Sequence, residues 1–221
     1  MKEPPPHRPH EPREPPSDSS DDTDKTEAAA RNTSILFHVS LLYNLALHHE
    51  RRRPWWSRVE PLLLLGALPL REKQHLPQLI QEEGVRAIVT MNQSFELLPN
   101  LFATPISPQE WQDADVAQCF GATMDFSAPT VETIYRCVEF IHSQVDVHKK
   151  TTYVHCKAGR GRSAVVVVAF LVRYRGMSLE DAIAFTRTKR PHVSLHPKQR
   201  NILQEFVNAH PAPASPQEPA S

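Results

Sequence analysis

The sequence has no surplus of charge of either sign: 25 Lys and Arg stand against 25 Asp and Glu in 221 residues. That balance singles out no partner, and no nucleic acid is expected. Cysteine is scarce. Cys119, Cys137 and Cys156 are the only three, and an odd number without paired spacing makes no disulfide framework. A reducing compartment, with at most one thiol in a reactive role, fits this usage. The chain lacks a Cys-x-x-Cys motif, and its twelve histidines are scattered, so neither metal nor cofactor is expected. It also lacks an apolar run of the ~18 to 20 residues that a membrane span requires. The longest candidate, SILFHVSLLYNLAL at 34–47, suits a buried or an interfacial helix instead. The polar, proline-rich start has no secretory signal, and the SDSSDDTD run is too acidic for a mitochondrial transit peptide.

What is present divides the chain into four parts. Residues 1–31 are rich in proline, serine and charge and hold almost no large apolar side chain, so a disordered leader is expected. Residues 32–58 carry the amphipathic 34–47 segment, then HHERRR and PWW. That segment packs on its own domain or lies in a membrane surface, with Arg51–Arg53 at the headgroups and Trp55 and Trp56 at the interface. Residues 59–208 are the folded domain and 209–221 a disordered tail.

Within the domain, VEPLLLLGALPL at 59–70 reads as a buried strand entering a loop. Residues 76–83 read as a helix that starts near Pro77 and stops at Gly84. VRAIVTM at 85–91 and TTYVH at 151–155 read as buried parallel strands, and CFGATMDF at 119–126 as a short one. Helices are expected at VETIYRCVEFIHSQV, at SAVVVVAFLVRY, at 178–190 and at PKQRNILQEFVNAH. Strands alternating with helices predict an α/β fold, a mostly parallel central sheet flanked by helices.

The chemistry gathers at YVHCKAGRGRSA. A strand ends at Cys156 and a helix opens near Arg162. Lys157, Ala158, Gly159, Arg160 and Gly161 form the turn between them. The glycines let the backbone turn its amides inward at the positive end of a helix dipole, a seat for a tetrahedral oxyanion such as phosphate. A thiol at the base of that seat has its pKa lowered from about 8.5 and becomes a nucleophile towards phosphorus. Arg162 can clamp two phosphoryl oxygens, Ser163 can donate to the departing sulfur, and His155 can fix the loop and stabilise the thiolate indirectly. The alternative is an inert buried cysteine beside a solvated basic turn, which the joint spacing of strand, thiol, glycines, arginine, serine and helix disfavours.

His155, Cys156, Arg162 and Ser163 fit H-C-x5-R-S, and on these residues the sequence resembles the cysteine-dependent protein tyrosine and dual-specificity phosphatases. ILFHVSLLYNLAL, WWSRVEPLLLLGALPLRE, GVRAIVTMNQSFEL and SPQEW extend the likeness, from about 34 to 207, to the mitochondrial phosphatidylglycerophosphate phosphatases of cardiolipin synthesis. The resemblance implies a cysteine-phosphatase fold and a two-step, metal-free reaction through a phosphocysteine. It further implies a carboxylic acid on a loop upstream, which Asp125 in MDFSAPT matches by position; the other reading of Asp125 is a turn or helix cap. The family's acidic stretch after TMN is Gln93-Ser94-Phe95-Glu96 here and keeps only its last glutamate.

Lys157 and Arg160 add cations beyond Arg162 and suit a phospholipid phosphomonoester with a second negative group. The expected substrate is therefore phosphatidylglycerophosphate at an anionic membrane surface. By resemblance its place is the matrix side of the mitochondrial inner membrane, with a cytoplasmic site as the alternative. Other readings are a dual-specificity phosphatase acting on phosphoproteins or phosphoinositides, and a phosphate-binding pseudophosphatase that captures phosphorylated partners.

Overall fold

A computed structural model of the protein describes residues 53–211. The leader expected at 1–31, the segment 34–47 with HHERRR, and the tail from 212 lie outside the described residues.

Strand β1, Trp56–Glu60, turns at Pro61 into β2, Leu63–Gly66, and the two pair antiparallel. The buried strand expected within 59–70, entering a loop, is β2, and the last two residues of β1 precede it in that run. Pro61 has no backbone N–H to give to a ladder, so the run breaks there. Helix α1, His75–Pro77, continues as a π-helical turn, Gln78–Glu82, and Gly84 ends it with φ +70°. Then come β3, Val85–Thr90, a 3₁₀ turn, Ser94–Leu97, and helix α2, Pro108–Asp113. Strand β4 is Ala117–Phe120. The strand expected at 119–126 stops at Phe120, and Gly121 onward is loop. Helix α3, Val131–His142, with its π-helical extension Ser143–Val147, leads to β5, Thr151–His155. Helices α4, Arg162–Arg175, α5, Leu179–Lys189, and α6, Pro197–Ala209, complete the described chain.

The sheet order is β1-β2-β5-β3-β4, parallel throughout except for the β1–β2 edge. Side chains alternate between two cores. Leu63, Leu65, Val89 and Val154 face α3 to α6, while Leu64, Val85, Ile88 and Tyr153 face Leu79, Ile106 and Trp111. Cover on both faces is why these strands read as unbroken apolar runs rather than as alternation. Helix α4 is buried continuously from Arg162 to Val172. Its four consecutive valines, Val165–Val168, are tolerated because packing outweighs their mild helix penalty. Side-chain caps set the other starts: Thr130 accepts from the Thr133 amide, and Ser178 from that of Asp181.

The parallel strands β5, β3 and β4 all end at one edge of the sheet, which is where α/β proteins hold ligands. From that edge leave the loops beginning at Cys156, Met91 and Gly121. No helix among the described residues is long and apolar enough to cross a membrane.

Candidate active site

Strand β5 delivers Cys156 to the sheet edge, and the chain returns through Lys157–Gly161 into α4. Gly159 has φ +65°, and a Cβ there would lie 2.5 Å from the Gly66 carbonyl, so only glycine fits. A second brace comes from α5. Arg190, just after that helix, is fully buried and donates to the carbonyls of Ala158 (3.2 Å), Gly159 (2.9 Å), Pro54 (3.1 Å) and Trp55 (3.2 Å). Its Nη1 also reaches the Ser57 hydroxyl at 3.3 Å. Arg190→Met would take the side-chain donor from the buried Gly159 carbonyl and from the part-buried carbonyls of Ala158 and Pro54, while the Trp55 carbonyl keeps the Ala67 amide. It is expected to destabilise the fold by about 3 kcal/mol or more, read as a shift of the urea midpoint.

The Cys156 sulfur sits in a bowl. Desolvation pushes its pKa up, but the Arg162 charge, the Ser163 hydroxyl and the Ser163 and Ala158 amides outweigh it, and the net shift is downward. Ser163 Oγ donates to the sulfur at 3.2 Å. His155 lies beneath, fully buried, with Nε2 2.9 Å from Thr90 Oγ1. Burial first, then the Arg162 charge, lower its pKa to about 3, against a backbone hydrogen bond at Cys156. The ring is therefore neutral. Its Nε2 is paired with the hydroxyl at the end of β3, and it brings no positive charge to the site.

Arg162 is 2% exposed and turns its guanidinium into the site. Nη1 donates to Glu96 Oε2 at 2.7 Å and to the Thr123 carbonyl at 2.8 Å, and Nη2 donates to Glu96 Oε1 at 3.1 Å. Glu96 has no exposed surface and also accepts from the Gln93 amide at 2.7 Å. The one glutamate kept from the acidic stretch is thus the anchor of the arginine fork. Sequence reasoning left it without a role, because its partner lies 66 residues away. Glu96→Gln is expected to lower kcat about tenfold with a smaller change in KM, since a misaligned guanidinium costs most in the transition state. Steady-state kinetics on one soluble aryl phosphate measures the split.

Asp125 stands opposite, on the loop after β4. Oδ1 is 3.0 Å from Arg162 Nη2, and Oδ2 pairs with Lys157. The next residue, Phe126, has φ +60°, a strained conformation for a bulky side chain. That turn aims the phenyl ring outward, 71% exposed, with the Lys157 ammonium 4.9 Å above it. Lys157 is itself only 4% exposed, while Arg160 is partly buried and bonds the His192 carbonyl through Nε. The structure therefore gathers every residue singled out from the sequence: His155, Cys156 through Gly161, Arg162, Ser163 and Asp125. It adds Ser194, His196 and Gln199 to the lining of a cavity of about 520 Å³. Gln199 bonds the Ser127 carbonyl at 2.8 Å and accepts from the His196 amide at 3.1 Å, joining the Asp125 loop to the start of α6. Its only sequence signal is the His196-x-x-Gln199 helix-start pattern, which says nothing of catalysis.

A thiolate-favouring cysteine under inward amides, a buried arginine fork and a facing carboxylate, on this sheet, define a cysteine-dependent phosphoric monoester hydrolase. The chain belongs to the dual specificity phosphatase, catalytic domain family, which matches residues 73–209. Phosphatidylglycerophosphatase and protein-tyrosine phosphatase 1 of Homo sapiens is 36% identical over 178 residues, 78% of this chain and 84% of that protein. Phosphatidylglycerophosphate phosphatase PTPMT2 of Arabidopsis thaliana is 36% identical over 174 residues, 78% of this chain and 72% of that protein. The crystal structure of PTPMT1 in complex with PI(5)P superposes with a TM-score of 0.64 at 35% identity, covering 71% of this chain and 96% of that one.

Proposed function

We propose that the protein hydrolyses phosphatidylglycerophosphate to phosphatidylglycerol. In this reading Cys156 attacks phosphorus, and the bond to the leaving oxygen breaks as the phosphocysteine forms. The amides of the 157–161 loop and Arg162 hold the equatorial oxygens. A phosphoryl group in the bowl takes Arg162 Nη2 from Asp125 and frees that carboxyl to carry a proton to the leaving alkoxide. Asp125 then takes a proton from the water that attacks phosphorus, and Ser163 donates to the sulfur as it leaves. His155, neutral, holds the strand end in place.

The observation that carries the lipid assignment is the mouth of the cavity. Lys157, Arg160 and His196 line it, and beside them the exposed phenyl ring of Phe126 forms an apolar rim. Phosphomonoester, a second anionic group and acyl chains would meet bowl, cations and rim in that order. The names of the relatives above support the same substrate. The motif resemblance extends the reading to cardiolipin synthesis at the matrix face of the mitochondrial inner membrane. A phosphoinositide is the second reading, supported by the related structure that holds PI(5)P.

Parallel rates decide among them. Phosphatidylglycerophosphate in vesicles is expected to turn over about 100-fold faster than a phosphotyrosine peptide. A faster rate on PI(5)P vesicles moves the substrate to the second reading, and a faster peptide removes the lipid assignment altogether.

A further inference from the structure

Two thiols outside the bowl touch each other. Cys119, partly exposed on β4, and Cys137, fully buried on α3, have their sulfurs 3.9 Å apart. Neither is part of the phosphate site: Cys156 lies at the end of β5, and β3 separates β5 from β4. The pair stands instead on the strand before and the helix after the loop that carries Thr123 and Asp125. Gly121, where that loop starts, abuts the sulfur of Cys137, and a Cβ there would lie 2.8 Å from it. Arg136 Nη2 donates to the Phe120 carbonyl at 2.9 Å, which places its guanidinium beside Cys119.

We propose that Cys119 and Cys137 form a modification site, a dithiol that a hydroperoxide converts to an intramolecular disulfide, tying β4 to α3, the two elements that flank the Asp125 loop. The sulfurs must approach by roughly 2 Å to reach a bond of about 2.05 Å. The two thiols are unequal in the way such chemistry requires. Contact with Cys137, then the Arg136 charge, lower the pKa of Cys119 against desolvation, whereas the same contact and burial raise that of Cys137. Cys119, the one that solvent reaches, is thus the nucleophile. Its thiolate attacks one peroxide oxygen and the O–O bond breaks, giving a sulfenic acid and, from hydrogen peroxide, hydroxide. The Cys137 sulfur then attacks the Cys119 sulfur, the S–O bond breaks, and the oxygen leaves as water with the Cys137 proton. In sum two thiols and one hydrogen peroxide give one disulfide and two waters.

Full-length Cys156→Ser protein, in which the catalytic thiol cannot compete, is treated with a small excess of hydrogen peroxide and digested with trypsin without reductant. Cleavage after Arg86, Arg136 and Lys149 puts the two cysteines on separate peptides, 87–136 and 137–149. The expected result is a linked pair two hydrogens lighter than the sum, released by dithiothreitol. In Cys137→Ser, Cys156→Ser protein the expected product is a dimedone-trapped sulfenic acid on Cys119. The proposal is overturned if both cysteines remain alkylatable thiols after peroxide, or if Cys119 ends as a sulfenic acid while Cys137 stays reduced beside it.

Discussion

Cys156→Ser is expected to cut turnover of an aryl phosphate by about 10⁴-fold or more while the fold and phosphate binding survive. The two side chains are nearly the same size, and Ser163 can donate to either. What changes is the charge. The bowl lowers the pKa of a thiol and so favours its anion, but a serine hydroxyl starts so much higher that the same surroundings leave it protonated. Melting temperature and phosphate binding by calorimetry check the first half, and burst kinetics the second. A serine variant retaining even a tenth of the activity would move the nucleophile elsewhere. In the native enzyme, alkylation of Cys156 by iodoacetate has a sign that follows from its lowered pKa. The thiolate persists to lower pH than in the same thiol outside the bowl, so reactivity is lost as pH falls through a lowered midpoint.

Asp125→Asn carries the second large effect, and its size depends on the substrate. An alkyl alkoxide needs a proton as it leaves, whereas an activated aryl oxide does not. The substitution is therefore expected to slow an alkyl phosphate by roughly 10²- to 10⁴-fold and an activated aryl phosphate by far less. The asparagine keeps the shape of the side chain but loses the charge that meets Lys157 and Arg162, so some loss common to both substrates accompanies the difference. Equal slowing of both would assign Asp125 to holding those cations and leave the acid to be found. Rates against leaving-group pKa, wild type beside variant, give the answer as a change of slope.

These two residues were legible in the sequence for different reasons. The bowl is contiguous, from His155 to Ser163, and local geometry alone relates its parts. Asp125 could be singled out only because the family resemblance implies an acid on a loop before a helix. Glu96, Arg190 and Gln199 could not be given roles at all, because each acts across 66, 31 or 72 residues of chain through contacts that exist only after folding. The same contrast runs through the fold. The central strands and α3 to α6 announced themselves by long apolar patterns. Helix α2 is six residues long and is marked by little more than Ser107, Pro108 and Glu110 at its start. Phe120 and Phe126 look alike in sequence, yet the first ends a strand and the second sits in a left-handed turn.

Arg190 has a practical corollary. Two of the carbonyls that it holds, those of Pro54 and Trp55, precede the first strand, and two others belong to the phosphate seat. A shortened gene product beginning at the sheet itself would therefore strip half the carbonyl ligands from the cation that props up the catalytic turn. The shortest working enzyme is expected to include Pro54 and Trp55, although the family match begins at residue 73.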